Sequence, residues 1–112
     1  MTETPQTTIS AADGHLTLIN TFTCPETRQN ELVAAIEKAN VEIFLRLPGF
    51  ISASIHASLD RTRVVNYVQW QRVEDFDAAG AVPEVQEHVA AIMEIAESAD
   101  PRLFHVQSVH HA

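Results

Sequence analysis

The residues best suited to chemistry lie in one short segment, VVNYVQW, which spans residues 64–70 and has the β-branched and aromatic composition of a strand. Successive side chains of a strand point to opposite faces, so Asn66 and Trp70 share a face with Val68 between them. About 13 Å separates them at ~3.3 Å per residue, which suits the two ends of a flat multi-ring molecule. An amide and an indole N–H can both donate to a developing oxyanion, and an indole can also stack on a ring.

A second amide, Asn20, lies on an earlier strand-like segment at residues 15–22. A buried amide without a partner costs about 1–3 kcal/mol, so Asn20 and Asn66 either bond to neighbouring groups or await a ligand. The structural alternative stays open, because a strand tryptophan packs in a core more often than it takes part in catalysis. The spacing of Asn66 and Trp70 does not decide between the two by itself.

Two histidines have two interpretations each. His88 lies at the edge of an apolar helical stripe, where it either borders the core or faces a cleft as an acid, base or ligand. The direction of His56 depends on the hairpin that follows it. A two-residue turn points His56 away from Asn66, whereas a three-residue turn places the two side by side.

The elements that must position these residues follow from hydrophobic periodicity and from breaks at proline and glycine. Residues 1–13 are polar and predict a mobile tail, followed by one domain at residues 14–112. The pattern predicts strands at residues 15–22, 50–58, 63–71 and 102–109, and helices at residues 27–47, 73–79 and 83–99. This β-α-β-β-α-β order is typical of a ferredoxin-like α+β fold with an antiparallel sheet.

In that fold the first and third strands are the central pair, so Asn20 and Asn66 converge on one cleft if both face the helices. The helices cover one face of the sheet, and a second subunit is the simplest cover for the other face. We therefore predict a homodimer with sheet packed on sheet, in which Tyr67 and Gln69 meet the partner subunit.

Composition excludes several classes of function. The net charge of −8, with only seven Lys and Arg residues, argues against nucleic acid and against an anionic membrane surface as partners. The single cysteine, Cys24, cannot form an intrachain disulfide, and with no apparent signal peptide this predicts a cytoplasmic protein. The three glycines are isolated, so no phosphate-binding loop is predicted, and no metal-binding spacing of histidines is found.

The segment LPGFISASIHASLDRTRVVNYVQW, followed by a short helix and PEVQEHV, resembles the antibiotic biosynthesis monooxygenase family over about residues 15–109. The resemblance implies a dimeric ferredoxin-like α+β barrel. Similar members oxidise anthrone-type aromatic polyketides to quinones with O2 and use no flavin, haem or metal as cofactor. In those members the substrate is thought to be deprotonated to an electron-rich enolate that itself reduces O2.

The resemblance also implies roles for individual residues. Asn66, Trp70 and Asn20 correspond to catalytic residues, and His56 and His88 are candidates for substrate binding or proton transfer. Some members carry a tyrosine six positions after the tryptophan, where this chain has Phe76. A phenylalanine cannot donate a proton or a hydrogen bond, so a tyrosine-dependent step is not expected here, although the ring would still line a substrate pocket.

Three functions are therefore considered. The first is a cofactor-independent monooxygenase acting on a small phenolic, anthrone-like substrate. The second is a haem-binding or haem-degrading protein, which needs His88 as an axial ligand. The third is a non-enzymatic dimer that binds a small ligand, in which Asn66 and Trp70 are structural.

Overall fold

A computed structural model describes residues 4–112 of the chain. The strands are β1 (Leu16–Thr23), β2 (Phe50–Ala57), β3 (Arg63–Trp70) and β4 (Ser98–His105), and the helices are α1 (Gln29–Glu42), α2 (Val73–Gly80) and α3 (Pro83–Met93). Short 3-10 turns at Glu26–Arg28 and Phe44–Arg46 flank α1. The sheet is antiparallel with the strand order β2-β3-β1-β4, which confirms the predicted ferredoxin-like α+β fold. None of the helices within residues 4–112 has the length and apolarity needed to span a membrane.

The register of the two central strands determines which side chains face the helices. Leu16 pairs with Trp70, Leu18 with Val68, Asn20 with Asn66, and Phe22 with Val64. The apolar members of this set lie in two core clusters, one covered by α1 and α3 and the other by α2 and the turn at Phe44–Arg46. Asn20 and Asn66 therefore face the helices from directly opposite positions, as the alternation of the two strands predicts.

The core joins the helices to the sheet through two neighbouring clusters. The first contains Phe22 and Val64 from the sheet, together with Leu32 and Ile36 from the predicted apolar stripe of α1. The second surrounds Trp70 near the other end of β3. Each fully buried large side chain contributes roughly 1.5–3 kcal/mol through the hydrophobic effect, which holds α1 firmly on the central strands.

The C-terminal elements differ from the prediction. The helix predicted to run to residue 99 ends at Met93, and the strand predicted at residues 102–109 is Ser98–His105. Ala96 lies beyond the end of α3 but is still buried in the core. The apolar spacing of the sequence therefore continues past the last helical residue. Pro101 lies inside β4 instead of ending a helix, since β4 is an edge strand and tolerates the missing N–H.

Other boundaries are closer to the prediction. The helix predicted at residues 27–47 is divided into α1 and its two flanking 3-10 turns, and the remaining strands and α2 lie within one residue of their predicted ends. A helix divided in this way still presents its apolar positions to the sheet, because Ile43 between α1 and the second turn is buried.

A four-residue turn, residues 59–62, joins β2 to β3 and is closed by the Ser58 N–H, which donates to the Arg63 carbonyl at 3.0 Å. Arg61 takes a left-handed conformation with φ 67°. The Asp60 carboxylate accepts hydrogen bonds from the Thr62 N–H and hydroxyl and from the Ser58 hydroxyl, which lower its pKa to about 2. Because the number of turn residues is even, the β2 side chains next to the turn point to the same sheet faces as they would with a two-residue turn.

The N-terminal segment contacts the sheet face opposite the helices. The Thr7 hydroxyl lies 2.7 Å from the Ser52 hydroxyl and donates to the Gln69 amide oxygen at 3.1 Å. The Gln69 amide nitrogen donates to the Thr8 carbonyl at 2.9 Å. Part of the predicted tail thus rests on β2 and β3, and residues 1–3 of that tail lie outside the described residues.

Candidate active site

A cavity of about 280 Å³ lies between the helix-facing side of the sheet and the three helices. Its walls are mostly aliphatic and aromatic, which is typical of a site for a small apolar ligand. Polar groups come from three amides and one indole: Asn20, Asn40, Asn66 and Trp70. The remaining lining residues are Leu18, Phe22, Ile36, Ala39, Phe44, Phe50, Val68, Phe76, Ala79, Gly80, Val85, Val89, Ile92 and Pro101.

The sheet wall of the cavity carries the three residues predicted to be catalytic. The Oδ1 atoms of Asn20 and Asn66 and the Nε1 atom of Trp70 are buried, and within residues 4–112 none has a hydrogen-bond partner. Each unpartnered polar atom costs about 1–3 kcal/mol. All three residues line the same cavity, so its sheet wall carries three polar side chains with unused hydrogen-bonding capacity.

Three phenylalanines hold the Trp70 indole in place. Their rings meet it edge-to-face at centroid distances of 5.3 Å for Phe50, 6.4 Å for Phe76 and 6.5 Å for Phe44. Such pairs contribute about 0.5–1.5 kcal/mol each beyond the burial of their area. All four rings border the cavity, so Phe76 lines the pocket as predicted, and Trp70 has a packing role in addition to its free N–H.

His56 does not reach the cavity, and its predicted role in substrate binding is not supported. It pairs with Val65 on β3, whereas Ile55 is the residue that pairs with Asn66. The exposed His56 side chain lies on the opposite face of the sheet, where its Nε2 is 3.0 Å from the Ser54 hydroxyl. The physical reason is the even length of the turn at residues 59–62, which sets the facing of the β2 residues from Ser52 to Ala57.

His88 is also absent from the residues that line the cavity, so its predicted contact with substrate finds no support there and stays a prediction. Its Nε2 lies 3.3 Å from the Glu42 carboxylate at the end of α1, and its neighbours Val85 and Val89 line the cavity instead. His88 borders the core between α1 and α3. The haem alternative required His88 as an axial ligand inside the cleft, and this geometry does not provide it.

The residues that line the cavity include no His, Asp, Glu, Lys, Arg, Cys or Tyr. The described site therefore contains hydrogen-bond donors in apolar surroundings but no side chain that could act as a general acid or base near neutral pH. Donors in such surroundings stabilise a negatively charged oxygen more strongly than they would in water. The arrangement suits a substrate that reacts as an oxyanion and that loses its proton to solvent.

Asn40 is the one polar lining residue that the sequence prediction missed. It lies near the end of α1, four positions after Ile36, and therefore on the same helix face as that core residue. An amide at an otherwise apolar helical position is the signal that could have found it. Its side chain enters the cavity from the wall opposite the strands.

Comparisons with known proteins identify a family and related structures. The family model described as antibiotic biosynthesis monooxygenase matches residues 15–91. Tetracenomycin-F1 monooxygenase of Streptomyces glaucescens is 38% identical over 81 residues, which cover 72% of each chain. The resemblance seen in the sequence is thereby confirmed.

Solved structures extend the likeness to the fold. A monooxygenase from the ActVA-Orf6 gene of Streptomyces coelicolor, crystallised with nanaomycin D, is 26% identical with a TM-score of 0.81, over 89% of this chain and 94% of that one. A variant of SnoaB, a cofactor-independent oxygenase from Streptomyces nogalater, is 22% identical with a TM-score of 0.77, over 86% and 96% of the two chains. The second likeness bears on the fold alone.

Proposed function

The chain belongs to the antibiotic biosynthesis monooxygenase family, and from that premise we propose that it oxidises a flat, multi-ring phenolic compound of the anthrone type with O2. One observation carries the proposal: Asn20, Asn66 and Trp70, each of which has a buried polar atom without a partner within residues 4–112, line a single apolar cavity. Tetracenomycin-F1 monooxygenase and the Streptomyces coelicolor monooxygenase are relatives whose names indicate the same class of chemistry.

Binding would place the ring system against the aromatic wall around Trp70 and a substrate oxygen near Asn20 and Asn66. The amide groups and the indole N–H are the donors available to that oxygen. A hydrogen bond to a charged group contributes about 1.5–3 kcal/mol, and 1.36 kcal/mol corresponds to one pKa unit. Two such bonds would lower the pKa of the bound substrate by roughly two to four units.

The anionic substrate would then react directly with O2. For an anthrone, the ring CH2 loses one proton to give the enolate, and the enolate transfers electrons to O2 and forms a C–O bond. Loss of water from the resulting hydroperoxide gives the quinone, so that anthrone and O2 yield quinone and H2O. In this scheme the side chains bind and orient the substrate and stabilise its oxyanion, and the electrons come from the substrate.

The test is an oxidation assay with the purified, chelator-treated protein and anthrone in air-saturated buffer. We expect quinone formation well above the rate in buffer, with one O2 consumed per quinone. The variants Asn66→Ala and Trp70→Phe should slow the reaction, whereas Asn30→Ala, on the exposed side of α1, should not. A rate equal to that in buffer, or one unchanged in both site variants, would exclude this function for anthrones.

We also propose that the protein is a cytoplasmic homodimer in which the sheet face opposite the helices meets a second copy. That face carries Tyr67 and the Phe104 side chain, of which 46% is exposed. A half-exposed phenylalanine on the same sheet face as a tyrosine is suited to contact between subunits. Sedimentation equilibrium should give twice the mass of the chain, and Phe104→Glu should shift the protein toward monomer.

A further inference from the structure

The helix wall of the cavity carries a single polar group, the Asn40 side chain, which is 9% exposed. It lies in the last turn of α1, and Asn20 and Asn66 lie on the sheet that forms the opposite wall. A substrate between the walls would therefore meet amide groups on two sides. The proposed oxidation assigns no role to the Asn40 amide on the helix side.

A structural role for Asn40 finds no support in its contacts. Gln29, the other buried amide side chain of α1, donates to the Ser58 and Arg63 carbonyls at 3.0 and 2.9 Å, and so ties the helix to the hairpin. Among residues 4–112, no such partner is found for the Asn40 amide. A buried amide that is not needed to hold the fold, and that borders a cavity, is placed to bind what enters the cavity.

We infer that Asn40 binds a second oxygen substituent of the substrate, on an edge of the ring system other than the edge held by Asn20 and Asn66. The inference rests on the proposed function, since it assumes a flat aromatic ligand in this cavity. An amide both donates and accepts, so it can bind a phenolic hydroxyl or a ring carbonyl. The chain should consequently prefer ring systems with a hydroxyl at one particular position over the unsubstituted parent.

The preference has a physical basis in what happens when that hydroxyl is missing. A site built to hydrogen-bond a substrate hydroxyl discriminates against an analogue without it, because the analogue offers the protein amide no partner. The walls around Asn40 are aliphatic, including Ile36 and Val89, so no other lining group on that side can form the bond. Removal of the Asn40 amide should therefore abolish the preference.

Binding can be measured without turnover by using ligands that are already oxidised. Anthraquinone and a set of isomers with one hydroxyl at different ring positions are titrated against the fluorescence of Trp70, the only tryptophan of the chain. We expect at least one isomer to bind the wild type about ten-fold more tightly than the parent. In Asn40→Leu, whose side chain keeps the number and branching of heavy atoms but cannot form hydrogen bonds, this ratio should fall to about one.

The matched control is Asn30→Leu, which places the same substitution on the exposed side of the same helix and should keep the wild-type ratio. Asn40→Ala serves as a second variant, and thermal unfolding shows that each variant is folded. If Asn40→Leu weakens the binding of all ligands by the same factor, the inference about Asn40 is wrong. It is also wrong if the wild type binds every isomer with the same affinity as the parent anthraquinone.

The same variants separate this inference from the proposed oxidation. If the isomer preference depends on Asn40 but no anthrone is oxidised, recognition by Asn40 stands and the oxidation is excluded. If anthrones are oxidised with the same relative kcat/KM in Asn40→Leu as in wild type, the oxidation stands and the role of Asn40 is excluded.

Discussion

Asn20 and Asn66 lie directly opposite each other on the two central strands, and each has a buried Oδ1 without a hydrogen-bond partner within residues 4–112. Two amides paired in this way could have bonded to each other and closed the site. Instead both side chains line an apolar cavity and each keeps an unpartnered polar atom, at a cost in stability.

The first prediction concerns these two amides. Asn66→Ala should lower kcat/KM by about 10²-fold, the loss seen when one donor to an oxyanion is removed. Asn20→Ala should have a similar effect, and the double variant should lose less than the product of the two if both contact one oxygen. Steady-state kinetics with an anthrone measures all three values.

Stability distinguishes a site role from a structural role for the same residues. Loss of an unpartnered amide should change the free energy of unfolding by less than about 1 kcal/mol, as measured by urea denaturation. A loss of more than ~2 kcal/mol in Asn66→Ala would instead mean that its amide supports the fold.

A second prediction separates the two roles of Trp70. Trp70→Phe removes the free N–H and part of the ring that contacts three phenylalanines, so both activity and stability should fall, the latter by about 1–3 kcal/mol. Phe50→Leu is the control, because it disturbs the same packing and removes no donor. If the two variants are equally stable, kcat should be at least ten-fold lower in Trp70→Phe than in Phe50→Leu. If kcat falls equally in both variants, Trp70 has a packing role only.

The third prediction concerns Phe76. Because the proposed reaction requires no hydroxyl at this position, Phe76→Tyr should change kcat by less than about three-fold, whereas Phe76→Ala should raise KM by removing part of the aromatic wall. A gain of 100-fold in Phe76→Tyr would show that a proton or hydrogen bond from this position limits the reaction.

The fourth prediction concerns the dependence of the rate on pH. Since no titratable side chain is among the residues lining the cavity, the pH profile of kcat/KM between pH 5 and 9 should follow the ionisation of the substrate. Two anthrones of different acidity should give profiles displaced by their difference in pKa. The variants His56→Gln and His88→Gln should keep the wild-type pH profile. If one limb of the profile disappears in either variant, that histidine and not the substrate is the titrating group.

The fifth prediction tests the hairpin turn. The pKa of Asp60 is lowered to about 2 by hydrogen bonds from the Thr62 N–H and hydroxyl and from Ser58, so its stabilising effect is present above the unfolded pKa near 4 and is lost as the pH falls to 2. Asp60→Ala should unfold at a lower temperature than wild type at pH 6. The difference should shrink on acidification from pH 4 to pH 2, as measured by circular dichroism.

Much of the site could be predicted from strand alternation and helical spacing. Alternation alone places Asn66 and Trp70 on one face, and the register of β1 then brings Asn20 opposite Asn66. What could not be predicted depends on tertiary context. The position of β4 around Pro101 requires knowledge that the strand is at the edge of the sheet, and the entry of Asn40 into the cavity depends on how α1 packs over the strands.

The turn at residues 59–62 has a consequence for the chemistry of the cavity that extends beyond its own stability. Its even length makes Ile55, and not His56, the residue of β2 that pairs with Asn66 on the helix-facing side. One residue inserted into this surface loop would exchange the two faces of β2 if the pairing slipped with it. The core beside the cavity would then gain an imidazole at the place of Ile55, opposite Asn66, so the length of a solvent-exposed loop determines whether an ionisable group lies next to the paired amides.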